Sequence, residues 1–291
     1  MNFGTVAILG PGLIGGSLAL ALADRGLAKR LMIYARSPRA LDEIRTAGVD
    51  AELTQNPSEA VREADVVILC VPIEAMAGLI HECRDALKPT ALVTDVGSVK
   101  GSVDRDLAPL LEGRALWIGS HPMAGSEQAG FSAARADLFE GAAVILTPTK
   151  HTHAETKRLA EKFWTSLGAR LYSLSPEAHD HAVAEISHMP HLAAAVLAAQ
   201  VSGESLDLAA GGFRDTTRVA SGSSELWTEI LWANRDAMKL HCHNWSTLMA
   251  KLTSIFDSND PARKTELFKL LKAGQSVRSQ LPERESPRKN R

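Results

Sequence analysis

The stretch Val6–Gly26, VAILGPGLIGGSLALALADRG, decides the fold. Four apolar residues, Val6 to Leu9, read as a short buried strand. Gly10, Gly12 and Gly15 follow at G-x-G-x-x-G spacing, and an apolar helical run then ends at Gly26, a residue that suits a C-cap. Each glycine has a physical reason. Gly10 permits the tight turn, Gly12 lets the backbone approach a pyrophosphate, and Gly15 lets the helix pack on the strand. The helix amino terminus, with Leu13 and Ile14, faces the phosphates. The stretch is therefore read as a dinucleotide site of the Rossmann type.

Outward from it, short runs rich in β-branched residues alternate with amphipathic segments. TVAILG, RLMIYA, DVVILCVP, TALVTDVGS, LWIGSHP and AAVILTP are the strand candidates, with GGSLALALADRG and PRALDEIRTAG between them as helices. Near-continuous apolar strands imply a parallel sheet covered on both faces. After ARLYSLSPEAHDHAVA the strand signal stops, and helical segments follow, broken by the glycine-rich GESLDLAAGGFRDTTRVASGSSELW. The expected organisation is an α/β Rossmann-type dinucleotide-binding domain over residues 1–174, an all-α dimerisation and substrate domain over 175–275, and a charged, disordered tail over 276–291. Wide apolar helical faces, as in LWTEILWANRDAMKLHCHNWSTLMAKLTSIF, argue for burial against a second subunit or between crossing helices, and a homodimer is expected.

At 291 residues, with 45% hydrophobic and 23% charged residues and a net charge of −2, the chain has the composition of an ordinary globular protein. It has no global basic field to drive nucleic-acid binding. Cys70, Cys83 and Cys242 are odd in number and far apart, which suits a reducing cytoplasm. The amino terminus lacks a signal-peptide pattern, and no apolar run reaches the roughly 18 to 20 residues of a membrane helix. These readings give the expectation of a cytoplasmic protein that engages neither membrane nor nucleic acid.

The end of the second strand, IYARSP, is where an acidic residue usually holds a ribose diol in NAD-binding proteins; Arg36 and Ser37 stand there instead. A guanidinium and a hydroxyl suit a 2′-phosphate, so the cofactor is expected to be NADP or NAD, with NADP favoured. LCVP places Val71 and Pro72 beside the cofactor crevice, although Pro72 reads equally well as a strand terminator. DVGSVK offers Ser98 and Lys100, and IGSHPMAGSE offers Ser120, His121 and Ser126, at strand ends where a substrate would meet a nicotinamide. His121 suits proton removal from an alcohol. His241 and His243 in HCHNW stand two apart, which on a helix puts them on different faces, so no metal site is expected there. His151 and His153 sit in a polar loop, and His179 and His181 precede the domain junction with no role assigned.

In chain order, GPGLIGGS, DVGSVK, GSHPMAGSE, SHMPH and GGFRDTTRVA resemble the prephenate and arogenate dehydrogenase family over most of the chain. The resemblance implies an active site between a nucleotide domain and a helical dimerisation domain. It also implies NAD(P)-dependent oxidation of prephenate, with loss of carbon dioxide, to 4-hydroxyphenylpyruvate, or of arogenate to tyrosine. In that reading His121 accepts the hydroxyl proton and Ser98 fixes the geometry of the hydroxyl and His121. Arg218 holds a substrate carboxylate, with Arg214 as its competitor and Ser126 nearby. Aromatisation drives decarboxylation without a metal. Thr216 and Thr217 could cap the following helix. The resemblance makes one histidine of SHMPH a substrate contact, with His188 preferred and His191 assigned to packing. Pro190 is expected to shape the start of a helix there. A dehydrogenase acting on a β-hydroxy acid would draw a lysine from the helical domain, and SHMPH has none. A non-catalytic NADP-sensing regulator would not need His121, Ser98 and Arg218 together.

Overall fold

The structure, a computed structural model, describes residues 2–125, 128 and 130–281. A six-stranded parallel sheet is built from β1 (Thr5–Leu9), β2 (Arg30–Tyr34), β3 (Glu52–Thr54), β4 (Val66–Leu69), β5 (Leu92–Asp95) and β6 (Leu116–Trp117), in the order β3-β2-β1-β4-β5-β6. The connections carry α1 (Leu13–Asp24), α2 (Pro38–Thr46), α3 (Pro57–Arg62), α4 (Ile73–Cys83) and α5 (Gly101–Leu111). Alternation along the strands feeds two cores. Val6, Ile8, Ile33 and Ile68 pack with α1, whereas Ala7, Leu9, Val67 and Leu69 pack with α3, α4 and α5 on the other face. Burial on both faces explains why these strands read as continuous apolar runs.

Two features depart from the expected sheet. β3 carries no clear sequence signal, because three residues at a sheet edge with an exposed Glu52 leave almost no period to read. LWIGSHP is not one strand. Its first part is β6, and its second is β7 (Gly119–Pro122), which pairs antiparallel with β8 (Ala143–Thr147); β8 pairs parallel with β9 (Arg170–Ser173) in a separate three-stranded sheet. Ile118, fully buried between the two, keeps the run apolar through the switch. Helix α6 (Ala154–Ser166) packs Phe163 and Trp164 into the first core.

From α7 (Pro176–Val183) the helix continues without interruption through a π-helical turn, Ala184–His188, into α8 (Met189–Ala199). SHMPH therefore lies in mid-helix, not at a helix start. Pro190 has no N–H to donate, and its ring would crowd the carbonyl four residues back; the wider π turn just before it relieves that crowding. Contrary to the sequence expectation, residues 176–199 form a helix long and apolar enough, by length and composition, to cross a membrane. Its polar side chains His179, Asp180 and His188 are nevertheless buried and hydrogen-bonded to the rest of the fold.

Shorter helices follow: α9 (Gly203–Leu206), α10 (Gly211–Thr217), a 3-10 turn at Arg218–Ser221, and α11 (Ser224–Ala233). By compactness the chain divides into Met1–Met238 and Lys239–Arg291. The helices after the sheet join the first unit because bonds such as that from the Lys100 N–H to the Asp180 carboxylate tie them to it. The second unit holds most of α12 (Arg235–Phe256) and all of α13 (Arg263–Arg278), and it exposes Trp245, Met249, Phe256 and Phe268. Helix α13 runs through Arg278, three residues into the segment expected to be disordered. Residues 282–291 of that segment lie outside the described residues.

Candidate active site

The strand order reverses direction between β1 and β4, the switch point at which open parallel sheets bind ligands. Gly10 has φ 108°, and a Cβ there would lie 2.8 Å from the Cys70 carbonyl oxygen and 2.9 Å from Val71 Cγ1. A Cβ on Gly15 would fall 2.1 Å from the Gly10 carbonyl oxygen, so any larger residue would push the turn off the helix. Gly12 is different: nothing lies within 4 Å of its Cβ position. It is the N-cap of α1 and supplies no side-chain cap, so the N–H groups of the first turn, Leu13 and Ile14 among them, have no capping side chain from it. That is a cradle shaped for a pyrophosphate. Val71 is half-buried and Pro72 exposed on the loop from β4 to α4.

At the end of β2, Arg36 and Ser37 are both exposed. The Arg36 carbonyl accepts a bond from Gln55 Nε2 at 2.9 Å, which leaves the guanidinium clear of the backbone anchoring. Ser37 is the N-cap residue of α2 without a side-chain cap bond, and no acidic residue occupies the first turn of that helix.

His121, near the end of β7, is 9% exposed and points Nδ1 at His179 Nε2, 2.8 Å away. His179 Nδ1 lies 2.8 Å from Asp180 Oδ1. Asp180 in turn accepts the backbone N–H groups of Lys100 at 2.7 Å and Gly101 at 2.8 Å, at the amino terminus of α5. Burial pushes His121 well below the ordinary histidine value, and His179, Lys100 and His188 add to the effect. Burial also lowers His179, against the opposing pull of Asp180. Both rings are therefore neutral near pH 7, and each keeps one ring nitrogen with a lone pair able to accept.

DVGSVK is a structural clamp as well as a site loop. The Lys100 ammonium, 1% exposed, bonds to the buried Asp95 carboxylate and donates to the Ser120 carbonyl at 2.8 Å. Burial lowers the Lys100 pKa, with Asp95 opposing. Ser120, fully buried, bonds to the Thr94 hydroxyl and the Asp95 carbonyl, a structural role that joins β5 to β7. Ser98 is half-buried on the same loop and makes no hydrogen bond among the described residues.

His188 is 1% exposed, with its Nδ1 facing Asn234 Nδ2 at 3.0 Å. Asn234 Nδ2 also donates to the Asp180 carbonyl at 2.9 Å. The amide nitrogen has only protons to offer, so His188 Nδ1 accepts and its Nε2 carries the proton. Burial holds the His188 pKa down at about 4. His191 stacks on Trp227, ring centroids 3.6 Å apart, and its buried Nδ1 has no hydrogen-bond partner among the described residues. Trp227 packs edge-on to His188 from the same side.

Arg214 and Arg218 are both exposed. Arg214 sits within α10, and Arg218 opens the 3-10 turn that packs on α8. They do not share one helix. Thr216 and Thr217 bond back to the carbonyls of Gly212 and Phe213, and the cap of α11 is Ser223. Ser126 lies outside the described residues. The residues missed from sequence are His179, Asp180, Asn234 and Trp227. His179 and Asp180 stand together in AHDHA with no motif spacing, and only the fold brings them to His121.

A dinucleotide cradle at the switch point, with a buried, hydrogen-bonded imidazole at a neighbouring strand end, defines a nicotinamide-dinucleotide-dependent dehydrogenase. Residues 18–173 match the nucleotide-binding domain of prephenate dehydrogenase, and residues 175–273 match its dimerization domain. The cyclohexadienyl dehydrogenase of Zymomonas mobilis is 36% identical over 92% of this chain and 93% of its own. The structure of A. aeolicus prephenate dehydrogenase in complex with hydroxyphenyl propionate and NAD+ superimposes with a TM-score of 0.88 at 29% identity, covering 97% of this chain and 99% of that one. Synechocystis arogenate dehydrogenase superimposes with a TM-score of 0.79 at 31% identity over 94% of this chain and 99% of that one. The chain belongs to the prephenate dehydrogenase family, and it is an oxidoreductase that decarboxylates prephenate or arogenate oxidatively with a nicotinamide dinucleotide as acceptor.

Proposed function

We propose that His121 is the general base of this reaction. It takes the ring-hydroxyl proton on Nε2; a nicotinamide dinucleotide held at the Gly10–Gly15 turn would supply the hydride acceptor. The observation that carries the assignment is that His121 is buried and neutral and spends Nδ1 on His179, leaving one ring nitrogen for substrate. Ser98, half-buried on the loop after β5 and without a hydrogen bond among the described residues, is assigned to the same hydroxyl. Arg218 holds a substrate carboxylate, with Arg214 in reserve, and the His188 Nε2–H donates to a second oxygen of the substrate. Once hydride has left, loss of the ring carboxylate aromatises the ring and needs no further residue.

The exposed Arg36 and Ser37, with no acid in the first turn of α2, support NADP over NAD. The exposed apolar residues of α12 and α13 support a homodimer, which sedimentation tests. Cys70, Cys83 and Cys242, odd in number and far apart in the chain, suit the cytoplasm. The functional division falls at 174/175, a reading supported by the family-model bounds of 18–173 and 175–273. The deciding experiment follows nicotinamide absorbance with prephenate and arogenate, each with NAD and NADP, for the wild type and His121→Asn. Expected is turnover in the wild type, highest with NADP, and a loss of about 10²- to 10⁴-fold in kcat for the variant. Unchanged turnover in His121→Asn would remove the role given to that residue.

A further inference from the structure

We propose that His179 and Asp180 are positioning residues for His121, a relay anchored on the amino terminus of α5 that fixes the tautomer of the base and shares the charge it acquires. The proposal rests on the reading of His121 as the base. It starts from Asp180, whose carboxylate accepts the N–H of Lys100 and of Gly101 at the first turn of an eleven-residue helix. Two backbone donors at the positive end of the helix dipole use the carboxylate oxygens as acceptors. An ionised carboxylate accepts only, so His179 Nδ1, 2.8 Å from Oδ1, must be the donor.

Each neutral imidazole carries one N–H, and the remaining protons follow from that. With its proton on Nδ1, His179 presents a lone pair at Nε2. His121 Nδ1, 2.8 Å away, must then donate to it. The lone pair of His121 is thereby confined to Nε2. The opposite tautomer would place two lone pairs, or two protons, face to face in a buried site and lose the bond.

The same geometry serves the protonated state. When the substrate hydroxyl gives its proton to His121 Nε2, the imidazolium keeps its Nδ1–H on His179, whose own Nδ1–H points at the negative Asp180. No atom is gained or lost in the relay, and the charge comes to lie one ring from a fixed carboxylate. Lys100 and His188 face this pair as groups that disfavour positive charge, and Asp95 and Asp180 as groups that favour it. The arrangement has the logic of a Ser-His-Asp triad, in which the acid orients the base without taking its proton; here a second imidazole stands between them.

The test compares Asp180→Asn and His179→Gln in the wild-type and His121→Asn backgrounds, measuring kcat, KM and the pH profile of kcat. In the wild-type background each variant is expected to lower kcat by about 10²- to 10⁴-fold with KM little changed, and to move the limb of the profile that reports the base. In the His121→Asn background neither is expected to lower kcat further, because residues acting as a unit are not additive. An equal loss in both backgrounds would show a merely structural role and overturn the proposal. Nitrogen-15 NMR of histidine-labelled wild-type protein supplies a readout that needs no variant to fold: the Nδ1–H form of His121 is expected, and the Nε2–H form would sink the relay. A His121→Asn variant with full activity would instead remove the base itself, a failure distinct from an inactive His121→Asn beside fully active Asp180→Asn and His179→Gln.

Discussion

His188 makes the stability of the fold depend on pH in a calculable way. The ring is 1% exposed in the π turn, its Nδ1 is committed to Asn234, and burial holds its pKa at about 4 against an ordinary 6.5. The unfolded chain therefore binds a proton between those values that the folded chain refuses, and stability falls as the pH drops through this window. Above about pH 7 both states carry a neutral ring and the contribution vanishes. At about 1.4 kcal/mol per tenfold difference in proton affinity, the loss is about 2 kcal/mol by pH 5 and about 3 kcal/mol when the folded value is reached. His121 and His179, also lowered by burial, act in the same direction. The assay is urea unfolding followed by tryptophan fluorescence at pH 8, 7, 6 and 5, for the wild type and His188→Gln. The variant keeps an acceptor for Asn234 and cannot titrate, so its decline from pH 8 to 5 is expected to be shallower by about 2 kcal/mol. Equal declines in the two proteins would refute the reasoning.

Gly12→Val is expected to leave the melting temperature unchanged, because the Cβ position is open, while raising the dissociation constant for the dinucleotide more than about tenfold by filling the cradle. Gly15→Val, whose Cβ falls 2.1 Å from the Gly10 carbonyl oxygen, is expected to lower the melting temperature as well. Lys100→Met leaves the buried Asp95 carboxylate without its counter-charge and is expected to cost about 3–5 kcal/mol by chemical denaturation; loss of the exposed Arg39–Glu43 pair is expected to cost under about 1 kcal/mol. Arg36→Ala is expected to lower the ratio of kcat/KM for NADP to that for NAD by about tenfold, and an unchanged ratio would take Arg36 out of cofactor choice.

Much of the nucleotide half was legible because its signals are local. The run from Val6 to Gly26 encodes strand, turn and helix within one stretch, and the backbone demands at Gly10 and Gly15 can be met by no other residue. His121 could be singled out because a lone imidazole at a strand end in such a sheet has few roles. Legibility failed where the determining contact is distant. β3 exists because Met32 to Tyr34 offer it an edge, and the split of LWIGSHP depends on β8, more than twenty residues later.

The sequence by itself determined the order of the nucleotide-binding units, the glycine turn and the presence of an imidazole near the end of a strand, since periodicity, turn residues and side-chain type suffice for these. Only the tertiary structure decided that SHMPH lies in mid-helix, that Thr216 and Thr217 cap nothing, and that His179 and Asp180 meet His121. The partners of that last contact stand 58 residues apart in sequence, and no local pattern records a hydrogen bond that exists only once α7 has packed against α5 and β8.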